Sequence, residues 1–211
     1  MLSRKTMLAI PFGLLFTASS YALPFVDIEI SADVFQAETK INDKKQKGDD
    51  SLFGGHAKVE HAIPLLPNVR GDMRKFSESG VDINRADLTL YYQVLDNKLV
   101  SLDLGAGATR FELKDGDDGN EHSPHLYMAA EAGLPFVNWS VFADSRYLKY
   151  NDNEGVDVSL GLKWKKESLS SLFGYGMSAG YRVQDHTFEG IQGADIDVKN
   201  SGFFAALDIS F

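Results

Sequence analysis

The chain has 211 residues, a formal net charge of −9 and no cysteine. Acidity on this scale argues against a nucleic-acid partner. The missing thiols exclude disulfide staples, thiol nucleophiles and cysteine-based zinc sites, so packing and backbone pairing must hold the fold.

The N-terminus opens with Arg4 and Lys5, runs through an uncharged apolar stretch from Met7 to Phe16, and reaches Ser20-Tyr21-Ala22. That order reads as a secretory signal peptide cut after Ala22. Its apolar run is shorter than the roughly 20 residues that a spanning helix needs. The expected division is therefore residues 1–22 as signal and 23–211 as one mature domain, whose formal charge moves from −9 to −11 once the two cations are removed. Farther on, no uninterrupted apolar segment approaches about 18 residues, which excludes helical spans and leaves a closed sheet as the only spanning architecture.

From Val26 the sequence alternates apolar and polar residues with period two, as barrel strands do. The first outward row is Val26, Ile28, Ile30, Ala32 and Val34, with Asp27, Glu29, Ser31 and Asp33 on the other face. Phe53, Gly55, Ala57, Val59 and His61 form the second, and Val69, Gly71 and Met73 a shorter third, separated by turn residues Pro64 and Pro67. The fourth and fifth rows are Ala86, Leu88, Leu90, Tyr92, Val94 and, across the Asp96-Asn97 turn, Val100, Leu102, Leu104, Ala106, Ala108. Leu126 to Leu134 and Trp139 to Tyr147 follow, then Val156 to Trp164, Phe173 to Tyr181, and a closing row of Phe203, Ala205, Leu207, Ile209 and Phe211. These rows predict an all-β fold, a closed antiparallel up-and-down transmembrane barrel of about ten strands.

Charged residues are 24% of the chain, yet none stands in an outward row. Lys58, Glu60, Arg70, Asp72, Asp87, Asp103, Glu131, Asp144, Arg146, Asp157, Lys163 and Asp208 take the alternate face. An Arg or Lys facing lipid at mid-depth costs about 2–4 kcal/mol, which gives the segregation a physical reason. The expected aromatic girdle has Trp139, Trp164, Phe173 and Phe211 at one rim, with Tyr147, Tyr181 and Phe203 at the other. Short connections at 62–68, 96–98, 135–138 and 166–172 are expected on the periplasmic side, with both termini. Longer, more charged loops after Ala37, Phe76, Leu113, Tyr150 and Gln184 are expected outside.

Phe211, with apolar residues at every second position back through Ile209 and Leu207 to Phe203, looks like the C-terminal signal read by the outer-membrane assembly machinery. The chain also resembles an uncharacterised family of small bacterial outer-membrane β-barrel proteins. The resemblance is carried by His61-Ala-Ile-Pro-Leu-Leu-Pro-Asn-Val-Arg70, Asp87-Leu-Thr-Leu-Tyr-Tyr-Gln-Val-Leu-Asp-Asn97, Leu102-Asp-Leu-Gly-Ala-Gly107 and Ala179-Gly-Tyr-Arg182. It implies a fold and an outer-membrane location, with membrane lipids and the assembly machinery as partners. No activity follows from it.

Candidate chemistry is sparse. A barrel of about ten strands is only slightly wider than the eight-stranded type that side chains fill, so the inward charges are expected to form an internal ion-pair network that plugs the lumen, with a narrow solute channel as the alternative. Asp115 to Glu121 is acidic enough to attract divalent cations, but Gly119 occupies the position where an EF-hand needs Asp or Asn. His122 and His125 are placed in the same loop beside Glu121 and Ser123, and Asp185-His186 near another rim. Neither supplies a nucleophile, base and orienting group by spacing alone, so no enzyme, cofactor or resident metal is expected. Gly174, Gly176 and Gly180 are followed by no helix that could cradle phosphate and are expected to make room for bulky lumen side chains. The architectural rival is a soluble periplasmic barrel with an apolar interior and a charged exterior.

Overall fold

The computed structural model describes residues 26–45, 50–63, 65–78, 81–97, 99–113, 120–150, 153–167, 173–191 and 194–211. The expected signal peptide with its cleavage position Ala22, and residues 115–119 of the acidic stretch Asp115 to Glu121, lie outside them. Every regular element among the described residues is a strand: β1 (Val26–Ile41), β2 (Lys44–Lys45), β3 (Asp50–His61), β4 (Asn68–Glu78), β5 (Val81–Asp96), β6 (Val100–Leu113), β7 (Asn120–Gly133), β8 (Trp139–Tyr150), β9 (Asn153–Glu167), β10 (Gly174–Ile191) and β11 (Ala194–Ser210).

Each long strand pairs antiparallel with its neighbours in sequence, and β11 returns to β1 in a register running from Glu29↔Ser210 to Ile41↔Val198. The result is a closed up-and-down barrel of ten strands, with β2 as a short flap on β1. Closure removes the exposed edges that an open sheet would offer to other chains. The start of β1 and the C-terminal residue meet at one rim, the chain-end rim, where Phe211 exchanges backbone hydrogen bonds with Ile28 at 2.9 and 3.1 Å.

Period two in the sequence becomes inside and outside in space. The outward rows form an exposed apolar belt that includes Ile30, Phe53, Met73, Leu88, Leu126, Leu160, Phe203 and Leu207. A row such as Phe203 to Phe211 rises about 26 Å along its strand, or about 20 Å along the barrel axis at a tilt near 40°. That is close to the height of a lipid-facing band. Inward positions are buried, and most of them are polar or charged.

The connections expected to be long outer loops are largely strand. β1 runs past Ala37 to Ile41 and turns at Asn42-Asp43, whose φ values of 49° and 63° fit a two-residue hairpin built from residues that tolerate left-handed backbone. β4 passes Phe76 and ends at Glu78, β10 passes Gln184 and ends at Ile191, and only residues 79–80, 151–152 and 192–193 separate the strands there. Above the belt the outward row turns polar: Gln36, Glu38 and Lys40 on β1, Lys75 on β4, Arg110 and Glu112 on β6, Lys149 on β8, Asp185 on β10 and Lys199 on β11. Exposed pairs such as Lys45–Glu38 (2.7 Å) and Lys199–Asp185 (2.9 Å) decorate this extension. The barrel wall therefore continues well beyond the apolar band on the side away from the chain ends.

Candidate functional site

The lumen holds the densest chemistry in the molecule. Arg70 on β4 reaches Asp144 on β8 at 2.6 Å while its Nε and Nη2 grip Asp72, at 2.8 to 3.1 Å. Arg146, also on β8, returns across the lumen to Asp72 at 2.8 Å and pairs with Asp144 at 3.0 Å. Both guanidinium groups lie over the Tyr127 ring, 5.4 and 5.3 Å from its centroid, and the Tyr127 hydroxyl accepts from Arg70 at 2.9 Å. In a barrel of ten strands, β4 and β8 stand nearly opposite, so this cluster ties opposite walls together.

Two further clusters continue the network. Arg85 on β5 binds Asp87 at 2.9 Å and also Asp157 on β9, which accepts a second bond from His186 at 2.9 Å. Asp33 on β1 pairs with Arg182 at 2.7 Å and with Arg74 at 3.4 Å. Nearer the chain ends, Glu29 receives Lys163 at 3.0 Å, Lys165 at 3.3 Å and His56 at 3.4 Å. Charges removed from water in this way stay charged only because each is paired and further hydrogen-bonded.

An apolar row lies against these pairs. Register places Phe142, Gly161, Gly180, Phe204, Phe35 and Leu52 side by side across β8, β9, β10, β11, β1 and β3. The two glycines between the phenylalanines leave the space into which the Phe142 and Phe204 rings lean, at a centroid distance of 6.1 Å. A Cβ on Gly180 would meet the Leu160 backbone and Gly161 Cα. Arg182 stacks over Phe204 and Phe35, 4.5 and 5.3 Å from their centroids, joining the apolar row to the ionic one.

All the inward charges expected from the sequence do point inward. Arg74, Arg85, Lys165, Arg182 and the three histidines of the lumen are members that the sequence reading left out of its inward charges. His122 and His125 are not in a loop, because β7 begins at Asn120. His122 faces outward, whereas His125 is buried between the Thr89 and Thr109 hydroxyls at 2.8 and 2.9 Å. Asp185 and His186 are not a pair either: they face opposite sides of β10, one toward Lys199 and the other toward Asp157.

A cavity of about 600 Å³ runs from the chain-end rim into the network: Asp27, Glu29, Lys58, Asp96, Asp103, Lys163 and Asp208 line it, and so do Asp33, Arg70, Asp72, Arg85, Asp144, Arg146, Asp157 and Arg182. Carboxylate oxygens of Asp103 and Asp208 are buried there without a hydrogen-bond partner. At the rims, Trp139 pairs in register with Trp164, the Trp164 and Tyr175 rings meet at 5.8 Å, and Phe173 meets Phe211 at 5.7 Å. Tyr181 and Phe203 meet edge to face at 5.2 Å, and the Tyr147 hydroxyl bonds Glu154 at 2.9 Å, where the belt gives way to charge.

No protein-family model matches the chain, and no curated protein matches it in sequence. Among solved structures it is similar to the outer membrane protease OmpT from Escherichia coli, at 8% identity over 89% of this chain and 96% of that one, with a TM-score of 0.48. It is also similar to the KdgM porin solved with disordered oligogalacturonate (8% identity, 88% and 98% covered, TM-score 0.38). A third is the toluene transporter TodX from P. putida (8%, 90% and 90%, TM-score 0.32). None of these likenesses carries an argument about this chain, and the barrel assignment rests on the strand pairing itself.

Proposed function

We propose that the chain is an integral outer-membrane β-barrel, closed at mid-lumen, that acts through its rims as a structural or interacting protein and neither passes solute freely nor catalyses a reaction. The observation that carries this reading is the inversion of the usual protein order: an apolar belt faces out while paired charges fill the inside. In water, the belt would be an exposed apolar surface far larger than monomers tolerate. In a bilayer, it is the surface that the solvent requires. The setting of the histidines supports the non-catalytic part, since His125 and His186 are packed among fixed partners and His186 lies against the Phe111 ring at 5.6 Å.

Membrane fractionation, followed by electrophoresis of detergent-extracted protein with and without boiling, tests the reading. Recovery in the outer-membrane fraction with a heat-dependent shift in migration is the expected result. A soluble, heat-insensitive periplasmic protein would overturn it. The second reading, a narrow channel for ions or small solutes, is favoured by the cavity that reaches the chain-end rim and by the unsatisfied oxygens of Asp103 and Asp208 on its walls. Discrete conductance steps in planar bilayers would establish it over the closed-lumen reading.

A further inference from the structure

We infer that the β3–β8 side of the chain-end rim dips into the membrane, its three turns wedged at the boundary between lipid headgroups and acyl chains. This rests on the belt being lipid-facing. The two halves of the rim are built differently. On β8 to β11 the belt ends in the ring cluster of Trp139, Trp164, Phe173, Tyr175 and Phe211. On β3 to β7 the outward row at this rim offers, among the described residues, a single aromatic, Tyr92.

In place of an aromatic girdle, that half carries apolar turns. Ile63, Leu65 and Leu66 stand between β3 and β4, Leu99 between β5 and β6, and Leu134, Phe136 and Val137 between β7 and β8, all exposed. Leu65 is 93% and Phe136 105% exposed, so neither packs on the protein. Both sit at positive φ, 68° and 66°, a conformation that bulky side chains rarely take and that glycine or asparagine would fill without strain. Strain that serves no internal packing, at two separate turns, points to something outside the chain that receives these side chains.

Lipid is the occupant that the geometry favours. The Tyr92 hydroxyl, on the outward face of β5, donates to the Leu65 carbonyl at 3.0 Å, which folds this turn toward the belt and away from the lumen. The next turns are linked, with Gly133 N donating to the Leu99 carbonyl at 2.7 Å and Asn97 Oδ1 accepting from Leu99 N and Val100 N, each at 3.0 Å. Residues 62–67 and 134–138 include no charged side chain, and Lys98 is the one charged residue that the sequence places in the three turns. The surface is thus an apolar continuation of the belt with a single cation, of the kind that inserts shallowly at a bilayer interface, where a lysine can reach the headgroups.

The test uses the full barrel in phosphatidylethanolamine–phosphatidylglycerol vesicles, with Trp139→Phe and Trp164→Phe as background. Single tryptophans are then placed by Leu65→Trp, Phe136→Trp and, as a mid-belt reference, Met128→Trp. The expected result is loss of Leu65→Trp and Phe136→Trp emission to lipids brominated high on the acyl chain, with little loss to aqueous iodide. Met128→Trp should lose most to bromines near the chain end. If the rim tryptophans answer to iodide and not to bromolipid while Met128→Trp still answers to lipid, the rim faces water or a protein partner and the inference fails. Protection from both quenchers means a second copy covers the rim and equally overturns it. If Met128→Trp itself escapes bromolipid, the belt reading falls first, and the rim inference with it.

Discussion

Replacing Asp72 by leucine should cost about 3–5 kcal/mol of folding stability, the scale for removing one member of a buried ion pair and stranding its partner. Asp72 accepts from Arg70 Nε and Nη2 and from Arg146 Nη2, and all three side chains are nearly closed to solvent. Without it, both guanidinium groups depend on Asp144, with Asp87 3.7 Å from Arg146 as a distant second partner. Adding Arg70→Met to Asp72→Leu removes the stranded cation and leaves the 3.0 Å Arg146–Asp144 pair whole, so the double variant should regain most of the loss. Urea-dependent folding into lipid vesicles, followed by tryptophan emission and by heat-dependent gel migration, measures both. A cost of about 1 kcal/mol or less for Asp72→Leu, the level of solvent-exposed pairs, would refute the reasoning. The lumen would then hold water at this height, and the channel reading would gain.

Other outcomes follow from the same structure. Leu207→Arg, on an exposed mid-belt position, should destabilise the barrel in vesicles by about 2–4 kcal/mol. Lys149→Leu, outward but beyond the belt, should change stability by less than about 0.5 kcal/mol in the same urea titration. Gly180→Leu would drive a side chain against Leu160 and Gly161 and should cost about 1–3 kcal/mol as overpacking, read as a lower midpoint of thermal gel shift. Leu65→Gly and Phe136→Gly should each gain about 1 kcal/mol in detergent by relieving left-handed strain. In vesicles the gain should shrink if the rim is seated in lipid.

Much of the barrel was legible in the residues because a sheet separating lipid from a polar interior must alternate, and Ala32-Asp33-Val34 or Ala86-Asp87-Leu88 cannot swap faces without placing charge in lipid. The outer extension was hidden for the same reason. Once Gln36, Glu38 and Lys40 replaced apolar residues outside, alternation of polarity ceased although the strand went on, with Ala37 and Thr39 still buried inside. Pro124 masked the start of β7, since proline inside a sheet is uncommon, and so His122 and His125 read as loop residues. Arg85 was missed by one position, just ahead of the row that begins at Ala86, and its parity with Asp87 was the available signal. Which charges meet was not legible at all: Arg70 and Asp144 are 74 residues apart, and their contact depends on strand number and register, which no local pattern encodes.

Which face meets lipid is the central claim, and spin-label accessibility along β5 tests it most directly. The chain has no cysteine, so each single cysteine introduced at positions 86 to 92, and at Lys75 and Lys149, reports alone. In vesicles, labels at Leu88 and Leu90 should be reached by oxygen dissolved in the hydrocarbon and shielded from a water-soluble nickel chelate, whereas labels at Lys75 and Lys149 should show the reverse. If the nickel chelate reaches Leu88 and Leu90 as freely as Lys149, the apolar face does not lie in a membrane and the account is wrong.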